Sequence, residues 1–167
     1  MRTTLLAGAA AAALAAATLA LAQGHEHSMH RQPDARRPGT VPLADTRQVV
    51  HFPRQLREHT LASMRDHLLA LQQIQEALSS LDYDEAANIA EQRLGMSSLT
   101  LHGAHEVARY MPQGMQEAGA AMHHSASRFA AAAQESAVTG DIKPTLAALA
   151  RITASCAACH AAYRVQE

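Results

Sequence analysis

The chain's only two cysteines, Cys156 and Cys159, lie three residues apart near its end, and His160 follows the second. Thiols in this arrangement can form a redox dithiol, supply half of a metal site, or anchor a group covalently. A catalytic dithiol sits at a helix N-terminus, where the dipole lowers the thiol pKa, within a strand–helix–strand setting. Here the pair falls toward the C-terminal end of a helical pattern. A structural zinc site needs four ligands, so two more would have to come from elsewhere among eleven histidines. A disulfide at this spacing inside a helix would be strained. Covalent haem attachment fits best. Both sulfurs can add across the two vinyl groups of one porphyrin, and His160, one turn beyond Cys156, can reach the iron.

The elements that must hold this motif are helical throughout. Aromatic residues make up 3% of the chain and Trp is absent, so Ala, Leu, Ile and Met must build the core. After Pro53, Leu61, Met64, Leu68, Leu71, Ile74, Leu78 and Leu81 recur at three and four, which predicts an apolar helix face. Asp82 with Glu85 three residues on predicts a capped second helix carrying Ala86, Ile89, Ala90 and Leu94. Residues 95–111 are mixed, readable as a helix extension or a broken turn. Pro112 opens a third helix, with Met115, Ala118, Met122, Ala126, Phe129 and Ala133 on one face. Thr139-Gly140-Asp141 breaks it, with Asp141 expected as the next cap. In the last helix Ile142, Leu146, Leu149, Thr153, Cys156, His160 and Tyr163 form one stripe. No alternating strand pattern occurs. The expectation is an all-α fold, an antiparallel up-down four-helix bundle with covalently bound haem on the last helix.

The ending Cys156-Ala157-Ala158-Cys159-His160-Ala161-Ala162-Tyr163-Arg164 resembles that of class II cytochromes c. That family comprises cytochrome c′ and its low-spin, methionine-ligated relatives. Their haem motif lies in the last helix of a four-helix bundle. The resemblance spans roughly residues 53–165 and is specific only at the C-terminal motif and in helix order. It implies one haem c, with thioether bonds to Cys156 and Cys159 and with His160 as the proximal iron ligand. It further implies Arg164 close to the haem edge; a cation at a helix C-terminus is the plainer reading of that residue. In the family the distal residue comes from the first helix, where this chain has Met64. A methionine there implies a low-spin electron carrier meeting redox partner proteins through weak contacts. If Met64 only packs, the alternative is a five-coordinate protein binding nitric oxide or carbon monoxide. Homodimers through the first two helices are common in the family, although these helices show no obvious exposed apolar patch in sequence.

The other histidines and methionines have plainer expectations. His59 and His67 fall beside the first helix's stripe and read as solvated or boundary residues. His102, His105, His123 and His124 read as surface, and Met111, Met115 and Met122 as core filler. The sequence does not distinguish any of these histidines as a catalytic base with a serine, cysteine or carboxylate partner, so the chain is not read as an enzyme.

The N-terminal part carries export signals. Arg2, an apolar run from Leu5 to Leu21 and the Ala20-Leu21-Ala22 site predict a signal peptide over residues 1–22. Residues 23–46 hold three prolines and three histidines without periodicity and read as a disordered tail or linker; residues 47–167 are the cytochrome domain. No other apolar segment reads as long enough to span a bilayer, so the expectation is a periplasmic bacterial protein that is not integral to the membrane. Cleavage after Ala22 would expose Gln23-Gly24-His25, whose amine, two amides and imidazole can wrap square-planar Cu(II) or Ni(II). The rival is a polar tail that binds metal adventitiously. A copper- or zinc-binding helical protein without haem is the third functional alternative. A formal net charge of −1 gives no sign of nucleic-acid binding.

Overall fold

The computed structural model describes residues 44–167. The signal peptide, His25 and nearly all of the tail lie outside the described residues. The described chain is mostly helical: α1 (Arg54–Ser79), α2 (Tyr83–Arg93), a short α3 (Ala104–Ala108), α4 (Gln113–Thr139) and α5 (Lys143–Ala162). The main packing runs from α1 to α2, from α2 to α4 and from α4 to α5.

The helix boundaries follow local chemistry. Asp82 accepts the Glu85 N–H at 3.1 Å and starts α2 as expected. Pro112 immediately precedes α4, and Gly140 ends it at φ 73°, the left-handed conformation that glycine adopts without a Cβ penalty. Asp141 accepts the Lys143 N–H at 3.0 Å, so it caps α5 from one residue ahead of the assigned cap, Ile142. The mixed stretch 95–111 is a broken connection, with a 3₁₀ turn over Met96–Ser98 followed by α3.

One core cluster joins Ile74, Leu94, Phe129 and Ile152, all nearly or fully buried, with alanines from α1, α2 and α4 between them. Small residues let the backbones approach, and the few large side chains fill the remaining space. A second cluster holds Val50, Phe52, Val107 and Met115. Met111 packs against it, and Met122 sits in the first cluster, so all three methionines pack as expected.

Three sequence expectations need correction. First, the helix faces are rotated. In α1 the buried line is Thr60, Ser63, His67, Ala70, Ile74, Ala77 and Leu78, so Ile74 and Leu78 of the expected stripe are buried as expected, while Leu68 is 68% exposed. Leu81 lies beyond the helix at φ 59° and is also exposed. In α5 the buried line is Thr145, Ala148 and Ile152, continued by half-buried Cys156 and Cys159; Leu146 and His160 are exposed. Close helix approach selects small side chains, so the larger leucines mark a neighbouring face. Leu68 and Leu69 therefore form an exposed apolar patch on α1 that the sequence did not suggest.

Second, there are strands. β1 (Gln48–His51) and β2 (Tyr163–Gln166) pair in parallel, with Gln48 opposite Tyr163 and His51 opposite Gln166. Four residues are too few to show alternation. The pairing ends α5 at Ala162, so Arg164 stands on a strand rather than one helical turn beyond His160. Third, α5 is long and apolar enough, by length and composition alone, to cross a membrane. Its alanine content gives that hydropathy.

Gly114 marks a close approach. A Cβ there would lie 2.5 Å from the Tyr163 hydroxyl oxygen, whereas one at Gly119 would meet nothing within 4 Å. Gly114→Ala is expected to destabilise by about 1–3 kcal/mol through overpacking. Gly119→Ala should stabilise the cofactor-free chain by up to about 1 kcal/mol through helix propensity. Urea unfolding of the two variants checks the contrast in sign.

Candidate functional site

A cavity of about 690 Å³ opens between the N-terminal half of α1, the segment around α3, the first half of α4 and the junction of α5 with β2. Met64 reaches its wall from α1, and Cys159 and His160 from α5, so residues nearly a hundred positions apart share one space. Arg164 and Tyr163 line it from β2. Cys156 is not on this wall; it packs against the edge of the main core, one turn away from His160. Leu61, Leu99, Val107, Met111 and Met115 make much of the surface apolar.

Both thiols are free. Burial pushes the pKa of each above the ordinary value, and for Cys159 the neighbouring Cys156 adds to the rise. A redox dithiol needs the opposite shift.

The mouth of the cavity is charged. Asp45 accepts hydrogen bonds from the Arg47 side chain at 2.7 and 2.9 Å, and these hold its carboxyl well below the usual carboxylate range. Arg47 also reaches the His160 carbonyl oxygen at 3.5 Å. Arg164 Nε is buried without a hydrogen-bond partner; the Asp45 carboxylate stands 3.5 Å away, an ion pair without hydrogen-bond geometry. A buried guanidinium N–H left over beside an apolar cavity calls for an acceptor.

Three histidines expected at the surface or boundary are buried instead. His67, His102 and His123 are 7–8% exposed and line the same cavity. His102 Nε2–H donates to the Arg93 carbonyl at 2.8 Å, and His123 Nδ1–H donates to the Leu94 carbonyl at 2.8 Å. These carbonyls lie at the C-terminal end of α2, where they have no partner within the helix. His67 Nε2 faces His102 Nε2 at 3.1 Å. Because the His102 proton there is directed at Arg93, His67 presents a lone pair. The same commitment withdraws His102 Nε2 from metal ligation. Among the described residues, no group of three or more His, Cys, Asp or Glu side chains is arranged to hold a metal ion. His59, His105 and His124 are exposed, in line with expectation.

The sequence carried a partial signal for His67, which falls at three-four spacing with Ser63, Ala70 and Ile74 on the small-residue face. His102 lies in an irregular segment and carried none. Arg47 was also missed, because its place at the mouth depends on the β1–β2 pairing.

Burial lowers the His67 pKa from the ordinary 6.5 to about 4, reinforced by the charges His102 and His123 would carry. Burial lowers His123 as well, partly opposed by its bond to Leu94. Folded His67 thus stays neutral where the unfolded chain already binds a proton. Its contribution to stability is fully present above about pH 6.5 and is lost as pH falls toward 4, about 3 kcal/mol in all. Urea unfolding across that range checks this: His67→Gln should remove most of the slope that the parent protein shows.

A scan of family models and comparisons with curated proteins and with solved structures each found no match for this chain.

Proposed function

We propose that this chain is an exported, mono-haem c-type cytochrome that carries electrons, built as a four-helix bundle from α1, α2, α4 and α5. Cys156 and Cys159 would hold the haem through thioether bonds, and His160 and Met64 would ligate its iron. The observation that carries the reading is that Met64, Cys159 and His160, distant in sequence, line one and the same cavity.

The cavity fits the group in three respects. Its volume of about 690 Å³ lies within the range of small-molecule and cofactor sites. Open space beside Gly119 leaves one wall without a side chain where a flat macrocycle could lie. The unpartnered Arg164 Nε suits a propionate carboxylate. When bound, the haem supplies reversible one-electron chemistry at iron. The chain's residues do the rest: the two cysteines tether, His160 and Met64 offer a nitrogen and a thioether, and Arg164 offers a cation. The apolar walls limit water, which together with a thioether favours the reduced state and a raised potential.

Exposed Leu68 and Leu69 on α1 are consistent with a homodimer through that face. A five-coordinate, gas-binding haem is the second reading. Half-buried Met64 stands on the cavity wall instead of being wedged in the core, so its thioether is free to turn aside.

The deciding experiment is expression of the whole chain in a bacterium that matures c-type cytochromes, followed by visible spectroscopy of the periplasmic fraction. A low-spin reduced spectrum that withstands acid–acetone extraction supports the reading. A high-spin spectrum shifted by carbon monoxide supports the second. No Soret absorption would sink both.

A further inference from the structure

The electron-carrier reading makes no use of His67, His102 and His123, yet they share the cavity with the proposed iron ligands. We propose that these three histidines form a redox-linked proton site, which takes up one proton from solvent when the protein accepts its electron. This inference rests on the haem reading and extends it from electron transfer to coupled proton transfer.

The geometry favours a single titrating unit. The rings of His67 and His102 are 4.5 Å apart between centroids, and His123 lies 6.2 Å and 6.1 Å from them. A proton on one ring disfavours a second on the others, so the cluster binds one proton as a unit. His102 and His123 each point a proton at a carbonyl at the end of α2, where the helix dipole favours a cation. Burial favours the neutral forms of His67 and His123, but the carbonyls are in place to hold the charge once it arrives. The low dielectric of the cavity carries the change in iron charge to its wall.

The surrounding charges leave the cluster as the group free to respond. Asp66 of α1 and Arg93 of α2 are paired with each other. His124 of α4 is exposed, and Glu117, Arg47 and Arg164 line other parts of the cavity wall. On the haem reading His160 would be held by the iron and is not counted in the cluster. In balance, one electron arrives from a donor protein and reduces ferric to ferrous iron. One proton arrives from solvent and turns one neutral imidazole of the cluster into imidazolium. No other bond changes.

The test measures the reduction potential of the haem-loaded protein against pH from about 4 to 8. Across the window between the cluster's oxidised-state and reduced-state pKa, the electron-binding constant should fall up to tenfold per pH unit, or about 59 mV for one electron. His67→Gln should flatten that slope or move its window. Identical curves of potential against pH in parent and variant overturn the proposal. If His67→Gln does not fold, imidazole nitrogen resonances of the parent protein in both redox states decide it. A cluster pKa higher in the reduced protein supports the proposal, and identical titrations overturn it. A chain that holds no haem shows no Soret band, which removes the electron-carrier reading and this coupling with it. A haem-loaded protein with a pH-independent potential removes the proton site alone.

Discussion

Met64→Ala is expected to convert a low-spin haem protein into a high-spin one that binds carbon monoxide stoichiometrically. Met64 lines from α1 the same cavity that Cys159 and His160 line from α5. Alanine is too short to reach any group that the sulfur could reach from there. On the proposed reading the change would remove one ligand and leave the tether and His160 in place, so haem content should be unchanged. The reduction potential should fall, because a methionine ligand raises it. Spectra in both redox states, with and without carbon monoxide, read all three effects. An unchanged low-spin spectrum would dismiss Met64, and attention would pass to His67, the next buried residue on that helix with a free lone pair.

Phe129→Ala should be the most damaging single change to the fold. Phe129 is fully buried at the junction of α2, α4 and α5, and it is one of two phenylalanines in a chain without Trp. Alanine neighbours cannot expand into the space, so the vacated volume persists as a cavity. The expected cost is about 3–5 kcal/mol, a large part of the roughly 5–15 kcal/mol that holds a domain of this size together. Urea unfolding of the purified protein measures it. A loss below about 1 kcal/mol would mean that the helices close over the gap, contrary to the packing described above.

The sequence was most legible where the signal is local. Asp82, Pro112 and Gly140 each impose a boundary through their own backbone or side-chain chemistry, and each boundary falls within a residue or two of its expected place. The spacing of Cys156, Cys159 and His160 is likewise local, whereas Met64 was placed by the leucine stripe and lies half-buried on the cavity wall. Which way a helix faces is a tertiary property. In α1 the leucines outlined an apolar stripe, but tight helix contact buries Thr60, Ser63, His67 and Ala70 instead. The strand pair joins residues more than a hundred positions apart, and no local pattern encodes that. Arg47 depends on that pairing. His102 and His123 are buried to satisfy carbonyls at the end of α2, 9 and 29 positions away in the chain, and no periodicity marks such contacts.

The β1–β2 ladder also bears on the order in which the molecule assembles. Each helix contact joins neighbouring or near-neighbouring segments, but Gln48 cannot meet Tyr163 until nearly the whole domain has been made. Closing so large a loop costs chain entropy before it returns any contact. The ladder is therefore expected to form last, as a latch across a helical body already in place. Until then Tyr163, Arg164 and Val165 are not held at the cavity mouth, and the wall carrying Cys159 and His160 stays open. A nascent chain would thus keep its thiols within reach of an outside catalyst and close over them only once the last few residues have docked.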